Sequence, residues 1–137
     1  MKKKSFDEII VGVKSVFSKT ITESDIFAFT GISGDFNPLH VSEEFAQTSQ
    51  FKGRIAHGML VAGLIDYTLT DLAGLGGIHI SQSLRFKAPV KIGDTITVES
   101  EIITVNRERQ RFNIKSTLTN QEGTIVLTGE AEAMLPK

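Results

Sequence analysis

No cysteine occurs among the 137 residues, which removes disulfides, thiolate nucleophiles and cysteine-based zinc sites together and fits a reducing compartment. Any catalysis must use other groups. An excess of either charge is also missing, since fifteen basic residues stand against sixteen acidic ones for a net charge of −1. That leaves no global field to draw nucleic acid, and Lys2-Lys3-Lys4 reads as a solvated tail. Long apolar runs are lacking too. The longest, Met59 to Ile65, is far short of a membrane span. Ser5-Phe6-Asp7-Glu8 follows the terminal lysines where a secretory signal would place its apolar stretch. We therefore expect a soluble, cytoplasmic protein with neither a membrane nor a nucleic acid as partner. With 40% hydrophobic and 23% charged residues the composition is that of a globular protein and not of a disordered one. The length suits one domain, residues 1–137, around one core.

No repeat, linker or low-complexity segment divides the chain, but its two halves differ in pattern. The second half alternates with the period of two expected of strands. Ile78, Ile80, Leu84, Phe86 and Ala88 share one parity, and His79 falls on the other, which predicts an exposed imidazole. Thr95 to Val105 follows the turn Gly93-Asp94, and Ile102-Ile103 breaks its parity, which predicts a bulge or bend. Phe112, Ile114 and Leu118 alternate with polar residues; beyond Asn120-Gln121-Glu122-Gly123 so do Ile125, Leu127, Ala131 and Ala133. These read as antiparallel strands joined by short turns, each with one buried face. His57 to Ala73 is long and mostly apolar, so it is expected to be the central helix that those faces cover. Val13 to Thr20 supplies a further strand. Thr22 to Thr30 is expected to be a short helix with Thr22 as its N-cap, Asp25 in the first turn, Ile26 and Phe29 inward, and an end at Gly31.

Chemistry concentrates in Gly34-Asp35-Phe36-Asn37-Pro38-Leu39-His40. Gly31, Gly34 and Asn37-Pro38 oppose a continuous helix, so Ser33 to Leu39 must be an ordered turn, with the next helix beginning near Ser42-Glu43-Glu44. A carboxylate and an imidazole on either side of a rigid Asn-Pro bend can converge on one water and exchange protons with it. Asn37 offers an amide to hold the turn or a substrate. Taken alone, Asp35 and Asn37 could equally be satisfying turn amides, with His40 merely starting a helix. A second element adds weight: Arg54-Ile55-Ala56-His57-Gly58-Met59 leads into a helix start, where free N–H groups favour negative charge and Gly58 admits a ligand to the backbone.

Three segments, Phe29 through His40, Ile55 through Met59, and Leu84 through Val90 with Gly93-Asp94, resemble the (R)-specific enoyl-CoA hydratases, also called MaoC-like or hydratase 2 proteins. The resemblance spans nearly the whole chain. It implies an α+β hotdog domain, a curved antiparallel sheet wrapped around a long central helix. It implies also that Asp35 and His40 form the catalytic pair, Asn37 supports them, and the Gly58 N–H is an oxyanion site. The implied reaction is reversible syn hydration of trans-2-enoyl-CoA to (R)-3-hydroxyacyl-CoA. No cofactor is expected, coenzyme A being part of the substrate, and the implied assembly is a homodimer with its active site near the subunit boundary.

Around that core, His57 beside Gly58 is a candidate substrate or proton contact, with bracing of the helix start as the plainer role. Leu64, Asp66 and Leu69, with Tyr67, are candidates for an acyl pocket, against ordinary core packing; Asp66 either reaches the exposed edge of the helix or faces the acyl chain. Arg85 and Lys87, with Lys91, are candidate contacts for coenzyme A phosphates and would equally suit an acidic acyl carrier protein. The histidines lack the close pair on one element that a stable zinc site shows, so no metal is expected. Gly31-Ile32-Ser33-Gly34 is not a G-x-S-x-G nucleophile elbow. Competing readings are a 3-hydroxyacyl-acyl carrier protein dehydratase, a thioesterase, and an acyl-CoA-binding protein without catalysis. The pathway, whether fatty acid oxidation, polyester precursor supply or lipid synthesis, is not written in the sequence.

Overall fold

Period-two alternation in the second half produces four strands, and a fifth comes from the amino-terminal segment. The computed structural model describes all residues, Met1–Lys137. Its strands are β1 (Lys14–Thr20), β2 (Ile78–Phe86), β3 (Thr95–Asn106), β4 (Arg111–Thr119) and β5 (Ile125–Met134). They form one sheet in the order β1-β3-β4-β5-β2, with every pairing antiparallel. The helices are α1 (Glu23–Ser33), α2 (Pro38–Val41), α3 (Glu43–Gln47), α4 (Gly58–Ala62) and α5 (Ile65–Ala73). Packing of α5 against β1, β3 and β5 places it in the concavity of the sheet, which is the hotdog arrangement expected. No helix is long and apolar enough to cross a membrane.

Several local expectations are met, and others change for identifiable reasons. Thr22 caps α1: its hydroxyl accepts from the Asp25 N–H while Asp25 accepts from the Thr22 N–H. The helix does not stop at Gly31, however. It runs to Ser33, and Gly34, at φ 76°, takes the left-handed cap that a side chain would resist. His57 to Ala73 is not one uninterrupted helix. Gly63 and Leu64 keep right-handed dihedrals, but the hydrogen bonds from Leu64 to Val61 and from Asp66 to Gly63 tighten to the three-residue spacing.

Two strands also depart from simple alternation. The break at Ile102-Ile103 is a register shift against β4, as the lost parity predicted. A second shift between Leu118 and Thr119 leaves Ile125 exposed and buries Val126 beside Leu127. In β2 the shift falls between His79 and Ser81, so His79 lies opposite buried Ala133 and shares its face of the sheet. His79 stays exposed, as expected, but its Nδ1 lies 3.4 Å from the Asp66 carboxylate on α5. The expected single apolar face of β2 does not form: the shift leaves Phe86, opposite buried Leu127, on the core face and Ile78, opposite Met134, on the other, and Ile78, Ile80 and Phe86 are all exposed on this edge strand, whose only neighbour is β5.

Between helix and sheet the core divides in two. One cluster, around Leu60, Ile65, Val98 and Leu118, lies beneath α4 and the start of α5. The other, around Leu72, Ile102, Phe112 and Ile114, lies beneath the end of α5. Three buried hydroxyls separate them. Thr68 donates to the Ile65 carbonyl at 2.8 Å and lies 2.7 Å from Ser100, which lies 2.7 Å from Ser116. Since the Thr68 hydrogen is already engaged, Ser100 must donate to Thr68 and Ser116 to Ser100. The chain of donors is therefore directed, and it fixes α5 over the middle of β3 and β4.

Ser100→Ala strips the Ser116 hydroxyl of its acceptor and should cost about 1–3 kcal/mol, whereas Ser116→Ala removes only the terminal donor and should cost less. Urea denaturation of the two variants checks the order. Thr22→Ala should cost about 1 kcal/mol through the lost cap. Its partner carries a pH signature. Partial burial raises the Asp25 carboxyl, but Lys19 and the Thr22 groups outweigh this and hold it below its ordinary value. The folded state thus gains stability from ionised Asp25, present in full above the ordinary carboxylate range and lost as pH falls through the depressed value. The stability difference between the wild type and Asp25→Asn should be greatest at neutral pH and shrink in acid, as melting temperatures at a series of pH values would record.

Candidate active site

The loop between α1 and α2 is held by a ladder of side chains, each bonding the backbone two residues on. Ser33 Oγ accepts from the Asp35 N–H, Asp35 Oδ1 from the Asn37 N–H, and Asn37 Oδ1 from the Leu39 N–H. Asp35 and Asn37 do satisfy turn amides, so the plain reading of these residues is part of the truth. It does not exhaust Asp35, whose second oxygen, Oδ2, remains and lies 4.0 Å from His40 Nε2. Asn37 is the N-cap of α2 and Pro38 its first residue, which rotates His40 inward until it is 8% exposed. The Asn-Pro bend thus brings the expected pair together.

A second segment, Arg54 to His57, lies alongside. Ile55 N–H donates to the Leu39 carbonyl and Ala56 N–H to the Val90 carbonyl, while Arg54, only 12% exposed at its side chain, pairs with Glu23 of α1 and Glu43 of α3. The side chains of Gln47 and Arg54 hold the Glu43 carboxyl below its ordinary value. Glu23 raises Arg54 against the opposing effect of burial.

The two segments exchange imidazole hydrogen bonds. His40 Nδ1 is 2.7 Å from the Ile55 carbonyl. A carbonyl can only accept, so Nδ1 carries a hydrogen, and in the neutral ring the lone pair is then on Nε2, facing Asp35. In the other direction, His57 Nε2 is 3.1 Å from the Asp35 carbonyl and 3.2 Å from the Thr30 hydroxyl, so its hydrogen is on Nε2. The rings stack with centroids 3.9 Å apart and planes inclined by 28°. Asp35, His40 and His57 offer potential metal-ligand atoms within 4.8 Å of one another. Near-parallel imidazoles direct their in-plane lone pairs side by side, however, and not toward the shared centre that tetrahedral ligation needs.

His40 borders a cavity of about 530 Å³ with a mainly apolar lining that includes Phe51, Met59, Val61, Phe86 and Leu127. Gly58, the first residue of α4, also borders it, and its N–H has no acceptor within the chain. A Cβ at Gly58 would come within 2.6 Å of the Phe86 ring. Glycine here therefore admits Phe86 as well as any ligand. Lys87 lines the same cavity. Arg85 does not; it borders a separate depression with Ser83, Lys115 and Glu130.

The acyl-pocket candidates are not brought to this cavity. Leu64 packs on the first core cluster, Leu69 lies in the second, Asp66 is exposed beside His79, and Tyr67 stacks on Phe17. Lys91 is exposed and donates its N–H to Asp94. Arg54 and Phe86 stood inside the segments read from the sequence yet drew no role there. Their partners are distant in the chain, and no local spacing signals them.

A family model described as the MaoC like domain matches residues 8–124. The chain is 48% identical over 132 residues to an (R)-specific enoyl-CoA hydratase of Rhodospirillum rubrum, spanning 96% of this chain and 91% of that one. It is 43% identical to a 3-hydroxybutyryl-CoA dehydratase of Methylorubrum extorquens, spanning 96% and 84%. The solved (R)-hydratase of A. caviae superposes with a TM-score of 0.89 at 39% identity, covering 93% of this chain and 97% of that one. A shared hotdog sheet, the matched domain and identity along almost the full length place this chain in the MaoC-like family of hydratases and dehydratases.

Proposed function

We propose that the chain is a hydro-lyase that reversibly hydrates trans-2-enoyl-CoA to (R)-3-hydroxyacyl-CoA, with Asp35 and His40 as its catalytic pair and no metal or other cofactor. One observation carries the reading: His40 Nε2, the ring nitrogen not bonded to Ile55, faces Asp35 Oδ2 across 4.0 Å at the edge of an apolar cavity. That gap is too long for a direct hydrogen bond and suits a bridging water, which reaches both atoms with two bonds of about 2.8 Å. Asp35 and His40 would then orient one water, whose oxygen adds to C3 of the enoyl group. One of its protons passes through the pair to C2, on the same face. The pair acts as a unit, because two titratable groups this close share their proton equilibria.

Charge that develops on the thioester oxygen needs a donor already in place. The Gly58 N–H at the start of α4 is unpaired and borders the cavity, and a well-placed donor of this kind contributes about 3–4 kcal/mol to the transition state. Lys87 is the basic residue of the cavity lining suited to a coenzyme A phosphate, and it would equally suit an acidic carrier protein. Arg85 lies away from this lining, so we assign it no contact with the phosphates.

We infer also that the working unit is a homodimer. β2 ends the sheet with an unpaired edge and exposes Ile78, Ile80 and Phe86, and pairing with a second copy would cover both kinds of surface. Phe86 touches Gly58 and lines the cavity, so such an interface would bring the second copy to the site. Sedimentation under assay conditions should show a dimer, and an active monomer would refute this assembly.

Addition of the protein to crotonyl-CoA should bleach the absorbance of the conjugated thioester and yield (R)-3-hydroxybutyryl-CoA on chiral analysis. Asp35→Asn should lower kcat by about 10²–10⁴ at an unchanged melting temperature; full activity in the folded variant would remove the pair from the mechanism. Rates on matched coenzyme A and carrier-protein substrates distinguish hydratase from carrier-protein dehydratase. Thiol release from a saturated acyl-CoA would instead signal a thioesterase, and binding without turnover a non-catalytic module.

A further inference from the structure

His57 is 2% exposed and stands one residue before the proposed oxyanion donor, yet it makes no hydrogen bond that caps α4 and does not border the cavity. Bracing of the helix start therefore does not account for it. We infer that His57 is a positioning residue that holds both members of the catalytic pair at once, its Nε2–H through the Asp35 backbone and its ring face through the His40 imidazole. The inference rests on the hydratase reading for its activity measurements.

Three observations support it independently. The Nε2–H is shared between the Asp35 carbonyl and the Thr30 hydroxyl, which ties the Asp35 loop to α1. The His57 ring lies against His40 at 3.9 Å and against Phe29 at 4.9 Å, so His40 cannot tilt out of the plane that points Nε2 at Asp35 without losing that contact. Finally, His57 Nδ1 is buried with no hydrogen-bond partner. Because His57 does not border the cavity, that nitrogen does not meet a substrate there, and the hydrogen on Nε2 is already engaged. His57 is therefore built to hold one proton in place and not to carry protons to substrate. For the same reason it is not a second oxyanion donor: its single N–H points at the protein's own carbonyl. A site whose reacting groups must stay within about half an ångström of productive geometry needs such support from residues that do no chemistry.

The two functions of His57 can be removed separately. A glutamine amide reaches roughly where Nε2 does, so His57→Gln keeps the donor to Asp35 and loses the ring. His57→Phe keeps a flat ring beside His40 and loses the donor. In a protein labelled with ¹⁵N at histidine and read without substrate, wild-type His40 should show a single tautomer with its hydrogen on Nδ1. His57→Phe should preserve that signature while backbone amide exchange quickens at Asp35 and Asn37. His57→Gln should preserve slow exchange in the loop while the His40 ring signals shift and broaden as the imidazole loses its stacked neighbour. With crotonyl-CoA, each should lower kcat by about 10- to 100-fold, the scale of a small misplacement of reacting groups, with KM changed less than about threefold, since neither touches the cavity.

Folded variants with wild-type kcat and an unchanged His40 spectrum would overturn the inference. So would a loss in His57→Gln well beyond about 100-fold and equal to that in Asp35→Asn, which would make His57 a proton carrier. If one variant does not fold, the other still tests its half. Because the nitrogen spectrum and amide exchange need no turnover, an inactive wild type with the expected spectra would refute the hydratase reading and leave the positioning role standing.

Discussion

Two histidine-to-carbonyl hydrogen bonds, running in opposite directions, are what the site depends on. His40 on the first segment donates to Ile55 on the second, and His57 on the second donates to Asp35 on the first. Each bond fixes a tautomer and a loop together. Were Asp35 and His40 simply near neighbours on a flexible turn, the 4.0 Å between them would be an average over many geometries. Held from both sides, it becomes a defined gap. Preorganisation of this kind matters because oriented groups in a fixed frame do not have to reorganise as the reaction proceeds.

The rest of the fold supplies that frame. Segment Arg54 to His57 has no regular partner strand, so it depends on single contacts: Ile55 to Leu39, Ala56 to Val90, and Arg54 to carboxylates at the start of α1 and on α3. The Arg54 side chain is mostly buried, and there the geometry of the pairing counts for more than at an exposed ion pair, whose contribution is small. At the other end, α4 and α5 are held over the sheet by two apolar clusters with the directed hydroxyl chain between them. The hydroxyls add register where apolar packing alone would tolerate sliding, since a directed chain is complete in only one arrangement.

Local chemistry made part of this legible in the sequence. Asn37-Pro38 and the glycines around it demand a turn, Thr22 and Asp25 a helix start, and Ile102-Ile103 a break in alternation; each is a statement about neighbours, and each appears in the structure. What was hidden depends on residues far apart in the chain or on surfaces that a single chain does not complete. His40 meets Ile55 across fifteen positions and His57 meets Asp35 across twenty-two, distances over which no periodicity carries information. The apolar residues of β2 were legible as apolar, but their common burial was wrongly expected: the register shift between His79 and Ser81 puts Ile78 and Phe86 on opposite faces, and alternation shows neither where a ladder slips nor what covers a face. Gly31 misled for a similar reason. A glycine can end a helix, but Gly34, three residues later, is the one whose dihedrals do so.

The glycine at position 58 shows how two demands can fall on one residue. An unpaired N–H at a helix start is a general property of helices, and by itself it makes no oxyanion site. Here the adjacent Phe86 ring occupies the space that a Cβ would need, at 2.6 Å, so the ring lies directly against the backbone and walls off part of the surroundings of that N–H. A donor with an apolar wall beside it interacts more strongly with developing charge than one open to water, because the local dielectric response is weaker. The same contact ties the donor to the edge strand, since Phe86 is the last residue of β2. A partner strand added at that edge would thereby bear on the position of the ring. Under the proposed assembly, the sheet edge and the donor would meet at this ring, which belongs to both.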